Sequence, residues 1–107
     1  MRRFCQVVGL KSDKIEEYER LHTAVWPGVL KMIADCNIRN YSIFRYGGLL
    51  VAYFEYIGAD YEADMAKMAA DPVTREWWTW TDPLQEPLEG REPGAWWLPI
   101  KEVFHTD

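Results

Sequence analysis

The chain has 107 residues, of which 49% are hydrophobic, and it carries a formal net charge of -5. This length predicts a single domain over residues 1–107, with a core large enough to form without a disulfide or a structural metal. The negative charge disfavours a nucleic-acid partner, and the lack of a long apolar stretch disfavours a membrane span.

The cysteine content points to a reducing compartment. Residues 1–6 lack the apolar core of a secretion signal, and the chain contains only two cysteines, Cys5 and Cys36. Disulfides persist mainly in oxidising compartments, so two reduced thiols are the better interpretation. We therefore expect a cytoplasmic protein.

The first part of the chain predicts a strand followed by a helix. Residues 3–10 alternate loosely in polarity, as a half-buried strand does. Residues 15–36 place their apolar side chains on one half of a helix and their charged side chains on the other. Pro27 interrupts this pattern, and because proline removes a helical hydrogen bond we expect a kink or break near Val25 and Trp26.

This predicted helix carries one of the two histidines. Tyr18, His22 and Trp26 are spaced by four residues, which on a continuous helix places them in one row on the inward face. An imidazole with a pKa near 6.5 between two aromatic rings is suited to proton transfer. A lone histidine on an apolar face is nevertheless more often a core residue with one hydrogen bond, and the pattern alone favours that interpretation.

Two strands and a hairpin follow the helix. Residues 39–46 and 49–57 predict strands joined at Gly47 and Gly48, a pair typical of tight hairpins. The second of these strands is apolar on both faces, which indicates that both faces are covered. Helices account for one face, and a partner subunit or a pocket accounts for the other.

The remainder of the chain predicts a second helical region and a last strand. Residues 61–70 form a helix, and Pro72 at a first-turn position opens another helical segment. Residues 82–94 contain prolines and glycines and predict an irregular loop. Residues 96–105 predict the final strand.

The resulting order, β-α-β-β-α-β, is that of an α+β, ferredoxin-like fold. Such a fold is a four-stranded antiparallel sheet with helices on one face. The opposite face of the sheet is apolar and uncovered, so we expect a homodimer in which a second sheet packs against it.

Three more aromatic residues are candidates to meet His22, namely Tyr41 on the second strand and the adjacent pair Trp77 and Trp78. A pocket of flat rings with one histidine suits a monosaccharide, because rings pack on its C–H face while polar groups bind its hydroxyls. An equally weighted alternative makes the tryptophan pair a core or interface anchor. No metal-ligand spacing and no glycine-rich phosphate loop is present, so we expect neither a metal nor a cofactor.

Several segments together resemble the L-rhamnose mutarotase family. They are the run from Glu17 to His22 that continues to Trp26 and Pro27, residues 40–43, residues 71–78 and residues 101–104. The combination of His-x-x-x-Trp-Pro with a later Trp-Trp pair is specific, whereas either motif alone would be weak. The matching segments occur in the family's order over nearly the whole chain.

The resemblance implies a dimeric α+β barrel enzyme, a carbohydrate isomerase that interconverts the α and β anomers of a 6-deoxy sugar. The sugar is L-rhamnose, with L-fucose as an alternative. The position matching His22 is the proton donor, and the positions that contact the sugar are Tyr18, Tyr41, Trp77 and Trp78. In such a reaction His22 suits protonation of the ring oxygen, and Tyr18 or a bound water suits removal of the anomeric proton.

Two other functions remain open. The same scaffold hosts haem-binding and cofactor-free monooxygenase-like proteins, and a small-ligand-binding module without enzyme activity is a third hypothesis. Residues 82–99, which include Trp96 and Trp97, depart from the family's pattern. We expect this segment to reshape the pocket or the subunit interface, which leaves the identity of the aldose open.

Overall fold

A computed structural model describes all 107 residues of the chain. The strands are β1 (Arg2–Leu10), β2 (Ile38–Tyr46), β3 (Leu49–Tyr56), β4 (Gln85–Glu86) and β5 (Leu98–Ile100). The helices are α1 (Ile15–Leu21), α2 (Pro27–Asp35), α3 (Tyr61–Ala70) and α4 (Pro72–Thr81), and a 3-10 turn over Asp82–Leu84 joins α4 to β4. None of the helices has both the length and the apolar character needed to cross a bilayer.

The strands form one antiparallel sheet in the order β2-β3-β1, and β4 and β5 pair with successive parts of the free edge of β1. This is the predicted α+β, ferredoxin-like arrangement. Val8 and Leu10 of β1 and Leu50 of β3 are buried together with Tyr18 of α1 and with Leu84. Because residues that alternate along a strand share one face, this face of the sheet is the one that the helices cover.

The other face of the sheet carries a row of apolar side chains. Phe44 is paired with Val51, Val51 with Val7, and Val7 with Leu98. These positions alternate with those that face the helices, so the row crosses four strands on the helix-free face. Phe44, at one end of the row, is 63% exposed.

The last strand is shorter than the predicted 96–105. Only Leu98–Ile100 pairs with β1, opposite Cys5–Val7, while the unpredicted strand β4 occupies the β1 edge at Gly9 and Leu10. Beyond Ile100 an ion pair of 2.9 Å between Arg3 Nε and Glu102 Oε1 takes the place of ladder hydrogen bonds. The residues after Ile100 have no regular secondary structure.

The first predicted helix is broken in two, as Pro27 indicated. α1 ends at Leu21 and α2 begins at Pro27, which holds the preceding Trp26 in an extended conformation with φ -61° and ψ 137°. The predicted row of Tyr18, His22 and Trp26 is therefore wrong at Trp26. A spacing of four residues aligns side chains only within one continuous helix.

Two aspartates start the helices of the second half. Asp60 Oδ1 accepts a hydrogen bond of 3.1 Å from the backbone N–H of Ala63, and Asp71 Oδ2 accepts one of 2.8 Å from that of Thr74. Each bond satisfies a backbone donor that a helix N-terminus otherwise leaves unpaired. The cap at Asp71 thereby fixes where α4 begins and which of its residues face the sheet.

Candidate active site

His22 is the C-cap residue of α1 and directly follows its last residue, Leu21. Its Nδ1 atom lies 2.8 Å from the backbone oxygen of Tyr18, which also accepts the backbone N–H of His22 at 3.3 Å through its second lone pair. Because a carbonyl oxygen only accepts, Nδ1 carries the proton, and a neutral ring then presents Nε2 as an acceptor. Burial lowers the pKa of His22 below its usual 6.5, against the opposing effect of the Tyr18 hydrogen bond. The imidazole is therefore neutral near pH 7.

Two aromatic side chains enclose this imidazole. The Tyr18 ring stacks on it with centroids 4.1 Å apart, and Trp77 of α4 packs against it edge-on at 5.4 Å. Trp26 packs edge-on against Trp77, with the two centroids 5.1 Å apart. His22 thus lies between two aromatic rings, as expected. The second ring is that of Trp77, whereas the sequence spacing had suggested Trp26.

Two adjoining cavities of about 680 and 710 Å³ lie beside His22. Each has a volume within the range of about 300–1,000 Å³ that is typical of small-molecule sites. Seven residues line both cavities and are called the shared wall: Tyr18, His22, Val29, Ile33, Tyr41, Ile43 and Trp77. The first cavity extends towards Glu19 and Arg45, which form an ion pair of 2.7 Å.

The structure brings four of the five predicted site residues into the shared wall, namely Tyr18, His22, Tyr41 and Trp77. Trp78 lines the second cavity only. Trp77 is 6% exposed and Trp78 is 36% exposed, because adjacent helical residues point about 100° apart. All five residues line the second cavity, and their individual roles stay predictions.

The two tyrosines of the shared wall are hydroxyl donors at neutral pH. Burial, followed by the proximity of Tyr41, raises the pKa of Tyr18 well above its usual value of 10. Burial raises the pKa of Tyr41 to about 12, and its ring stacks on Phe54 at a centroid distance of 5.5 Å. Neither phenol ionises near pH 7, so each can donate a hydrogen bond but neither acts as an anionic base.

The segment after α4 contributes polar residues that the sequence did not reveal. Trp96 Nε1 donates to Gln85 Oε1 at 2.7 Å, and Gln85 Nε2 donates to the Tyr18 hydroxyl at 3.4 Å. Asp82 also lines the second cavity, and burial raises its pKa against the opposing hydrogen bond from Thr81. These residues come from an irregular segment without hydrophobic periodicity, so only their contacts in the folded chain identify them.

The expectation that Trp96 and Trp97 reshape the pocket is consistent with their positions, because both line the second cavity. Trp97 also packs against the core formed by Val8, Leu10 and Leu50. The chain contains no group of three or more histidine, cysteine, aspartate or glutamate side chains placed to hold a metal ion.

Comparisons with known proteins give one consistent family. The family model of L-rhamnose mutarotase matches residues 3–106. An L-rhamnose mutarotase of Lactiplantibacillus plantarum is 32% identical over 107 residues, covering all of both chains. An L-fucose mutarotase of Xanthomonas campestris is 34% identical over 110 residues, covering 97% of this chain and 87% of that protein.

Solved structures extend the similarity to the fold. A crystal structure of an L-rhamnose mutarotase from Formosa agariphila covers both chains completely, with a TM-score of 0.79 and 20% identity. Tetracenomycin F2 cyclase from Streptomyces glaucescens, a polyketide cyclase, also covers both chains completely, with a TM-score of 0.70 and 12% identity. At these identities the two structures support the fold alone.

Proposed function

The chain belongs to the L-rhamnose mutarotase family, and from this membership we propose that it interconverts the α and β anomers of a 6-deoxy aldose, L-rhamnose or L-fucose. The observation that carries the proposal is the neutral imidazole of His22 in the wall of a cavity large enough for a monosaccharide. Family membership favours this isomerase activity over the monooxygenase-like and non-enzymatic hypotheses.

In the proposed reaction His22 both removes and returns a proton. The Nε2 atom of the neutral imidazole accepts the proton of the anomeric hydroxyl while the bond between C1 and the ring oxygen breaks. The imidazolium then gives that proton to the ring oxygen, which leaves an open-chain aldehyde and a hydroxyl. Rotation about the C1–C2 bond and the reverse steps close the ring on the other face of the carbonyl, so protons and bonds balance without a cofactor.

The resemblance implies that His22 is a proton donor. In the proposed reaction it donates a proton to the ring oxygen only after it has accepted one from the anomeric hydroxyl. Because its pKa lies below 6.5, the resting imidazole has no proton on Nε2 to give near neutral pH. A positioned acid–base group of this kind contributes about 10²–10⁴-fold to a rate. The Nδ1 bond to the Tyr18 carbonyl supports the step, because it orients the ring and stabilises the imidazolium.

The other wall residues position the sugar. We assign to Tyr18 and Tyr41 the donation of hydrogen bonds to sugar oxygens, because both hydroxyls remain protonated. We assign to Trp77 and Trp78 contact with the C–H surface of the sugar, since aromatic faces bind apolar surface without requiring hydroxyl partners. Holding the anomeric carbon beside the imidazole is itself a large contribution to catalysis.

Preference for a 6-deoxy sugar follows from the apolar part of the shared wall. Val29, Ile33 and Ile43 offer a methyl group favourable contacts, whereas a 6-hydroxyl placed there would lose its hydrogen bonds to water. An apolar pocket rejects an added hydroxyl by up to about 10²-fold. The matched substrates are L-rhamnose and its 6-hydroxy parent L-mannose, and likewise L-fucose and L-galactose.

Polarimetry of freshly dissolved single anomers, corrected for the buffer-catalysed rate, tests this function directly. We expect the protein to accelerate the approach to equilibrium for at least one 6-deoxy sugar and to have a kcat/KM at least about tenfold lower for its 6-hydroxy parent. Equal rates with and without protein for both 6-deoxy sugars would contradict the proposed function.

We further propose a homodimer formed by the helix-free face of the sheet, in the cytoplasm. The row of Phe44, Val51, Val7 and Leu98 supports the dimer, because it lies on the helix-free face and its end at Phe44 is 63% exposed, so packing against a second copy would bury it. The two free thiols, Cys5 and Cys36, support a reducing compartment.

A further inference from the structure

We infer that Gln85, oriented by Trp96, is a positioning residue that turns the Tyr18 hydroxyl proton away from the protein and makes it available to the substrate. The inference rests on the proposed function and adds two residues to it. The three side chains form a hydrogen-bonded series, here called the Trp96–Gln85–Tyr18 relay. Its first two members come from the segment that departs from the family's pattern.

The direction of the relay follows from the donor and acceptor capacity of each group. An indole N–H only donates, so the Gln85 atom 2.7 Å from Trp96 Nε1 must be the amide oxygen. The amide nitrogen is then the atom that faces Tyr18, at 3.4 Å from its hydroxyl oxygen. An amide nitrogen also only donates, so the Tyr18 oxygen is the acceptor in this bond.

The relay therefore leaves the Tyr18 proton unused by Gln85. A phenol that accepts one hydrogen bond still has its own O–H to donate, and Tyr18 lines both cavities. Gln85 is 5% exposed, so water does not compete freely for its amide. In such a buried site the loss or reversal of a hydrogen bond costs more free energy than it would at the surface.

The position of Tyr18 connects the relay to the chemistry. Its ring stacks on His22 at 4.1 Å, so a hydroxyl donor and the imidazole acceptor belong to neighbouring rings of one wall. A sugar oxygen that gains negative charge as its ring opens is stabilised by a donor already aimed at the cavity. Gln85 keeps that donor from turning inwards, and Trp96 keeps the amide from flipping.

The test reverses the relay with one isosteric change, Gln85→Glu. Burial raises the pKa of the introduced carboxyl, so the comparison is made at a pH high enough to ionise it. The carboxylate then still accepts from Trp96 Nε1, and its second oxygen is also an acceptor and captures the Tyr18 proton. We expect kcat to fall by about 100-fold with a smaller change in KM, because loss of a single preorganised donor costs about 10²–10³-fold in kcat. Trp96→Phe, which removes only the N–H, should give a smaller loss than Gln85→Glu.

Two controls separate this role from a merely structural one. In a Tyr18→Phe background Gln85→Glu should have little further effect on kcat, which a double-mutant cycle measures. Trp80→Phe is the matched change at an exposed tryptophan of α4 that lines neither cavity, and its kcat should equal that of the wild type. An equal loss from Gln85→Glu with and without the Tyr18 hydroxyl would overturn the relay.

A spectroscopic measurement decides the relay without reference to activity. The Raman tyrosine doublet distinguishes a phenol that accepts a hydrogen bond from one that donates a strong bond to a carboxylate. The difference between each protein and its Tyr18→Phe version should report an acceptor in the wild type and a donor in Gln85→Glu. Identical difference spectra would overturn the relay, whereas a wild type without anomer exchange would overturn the proposed function instead.

Discussion

The adjacent tryptophans of α4 should respond very differently to truncation. Trp77 is 6% exposed and its indole packs edge-on against both His22 and Trp26, at centroid distances of 5.4 and 5.1 Å. Removing a buried tryptophan side chain costs about 3–5 kcal/mol through lost burial and the cavity left behind. Trp78 is 36% exposed, so its truncation should cost about 1 kcal/mol, the ordinary effect of a point substitution.

Urea unfolding of Trp77→Ala and Trp78→Ala measures this difference as a change in midpoint at constant slope. In a chain of this size 1 kcal/mol corresponds to about 4–8 °C in Tm, so a difference of about 2 kcal/mol or more separates the two variants by at least about 8 °C. Should Trp77→Ala prove too unstable to purify, Trp77→Phe keeps a ring in place and is expected to be intermediate. Equal losses from the alanine variants would refute the assignment of Trp77 to a buried position in the shared wall.

Two further predictions concern pH and assembly. Burial lowers the pKa of His22, so the neutral ring is lost only on acidification. The acid limb of kcat/KM, corrected for the buffer-catalysed rate, should therefore have its midpoint below pH 6.5. A midpoint above pH 6.5 would contradict this prediction. The same shift lowers the free energy of unfolding as the pH decreases from about 6.5, the pKa of histidine in the unfolded chain, through the lower pKa of His22 in the folded protein. The reason is that the unfolded chain binds the proton more tightly in this pH range. Phe44→Glu places a charge on the helix-free face of the sheet, where Phe44 is 63% exposed. Sedimentation of this variant should show a shift from dimer to monomer. A wild type that is monomeric at every concentration would exclude the proposed interface.

Local signals explain why much of the fold could be predicted. Pro27 and Pro72 mark helix starts because proline has no N–H to donate, and both lie at the first residue of a helix in the structure. Gly47, with φ of 54°, supports the hairpin turn between β2 and β3. Each signal acts within a few residues of the chain, so its effect does not depend on distant packing.

Tertiary packing explains what could not be predicted. The pattern of residues 96–105 is compatible with a long strand, but β4 occupies the β1 edge at Gly9 and Leu10, where residues before Leu98 would pair. Beyond Ile100 the ion pair between Glu102 and Arg3 replaces the ladder, so β5 keeps only three residues. Trp26 satisfied the spacing rule for a row with His22, yet the helix break moved it, and Trp77 from a distant segment took its place. Gln85 and Trp96 meet across a loop, and no periodicity connects them.

The direct test of the central assignment is magnetisation-transfer NMR between the two anomeric protons of L-rhamnose or L-fucose, with wild type compared to His22→Asn. The asparagine amide keeps a donor near the Tyr18 carbonyl, where Nδ1 lies 2.8 Å away in the wild type, but it has no basic nitrogen. We predict that the wild type exchanges the anomers well above the buffer rate, while His22→Asn folds with a similar Tm and exchanges them near that rate. Exchange by His22→Asn as fast as by the wild type would remove the imidazole from the reaction.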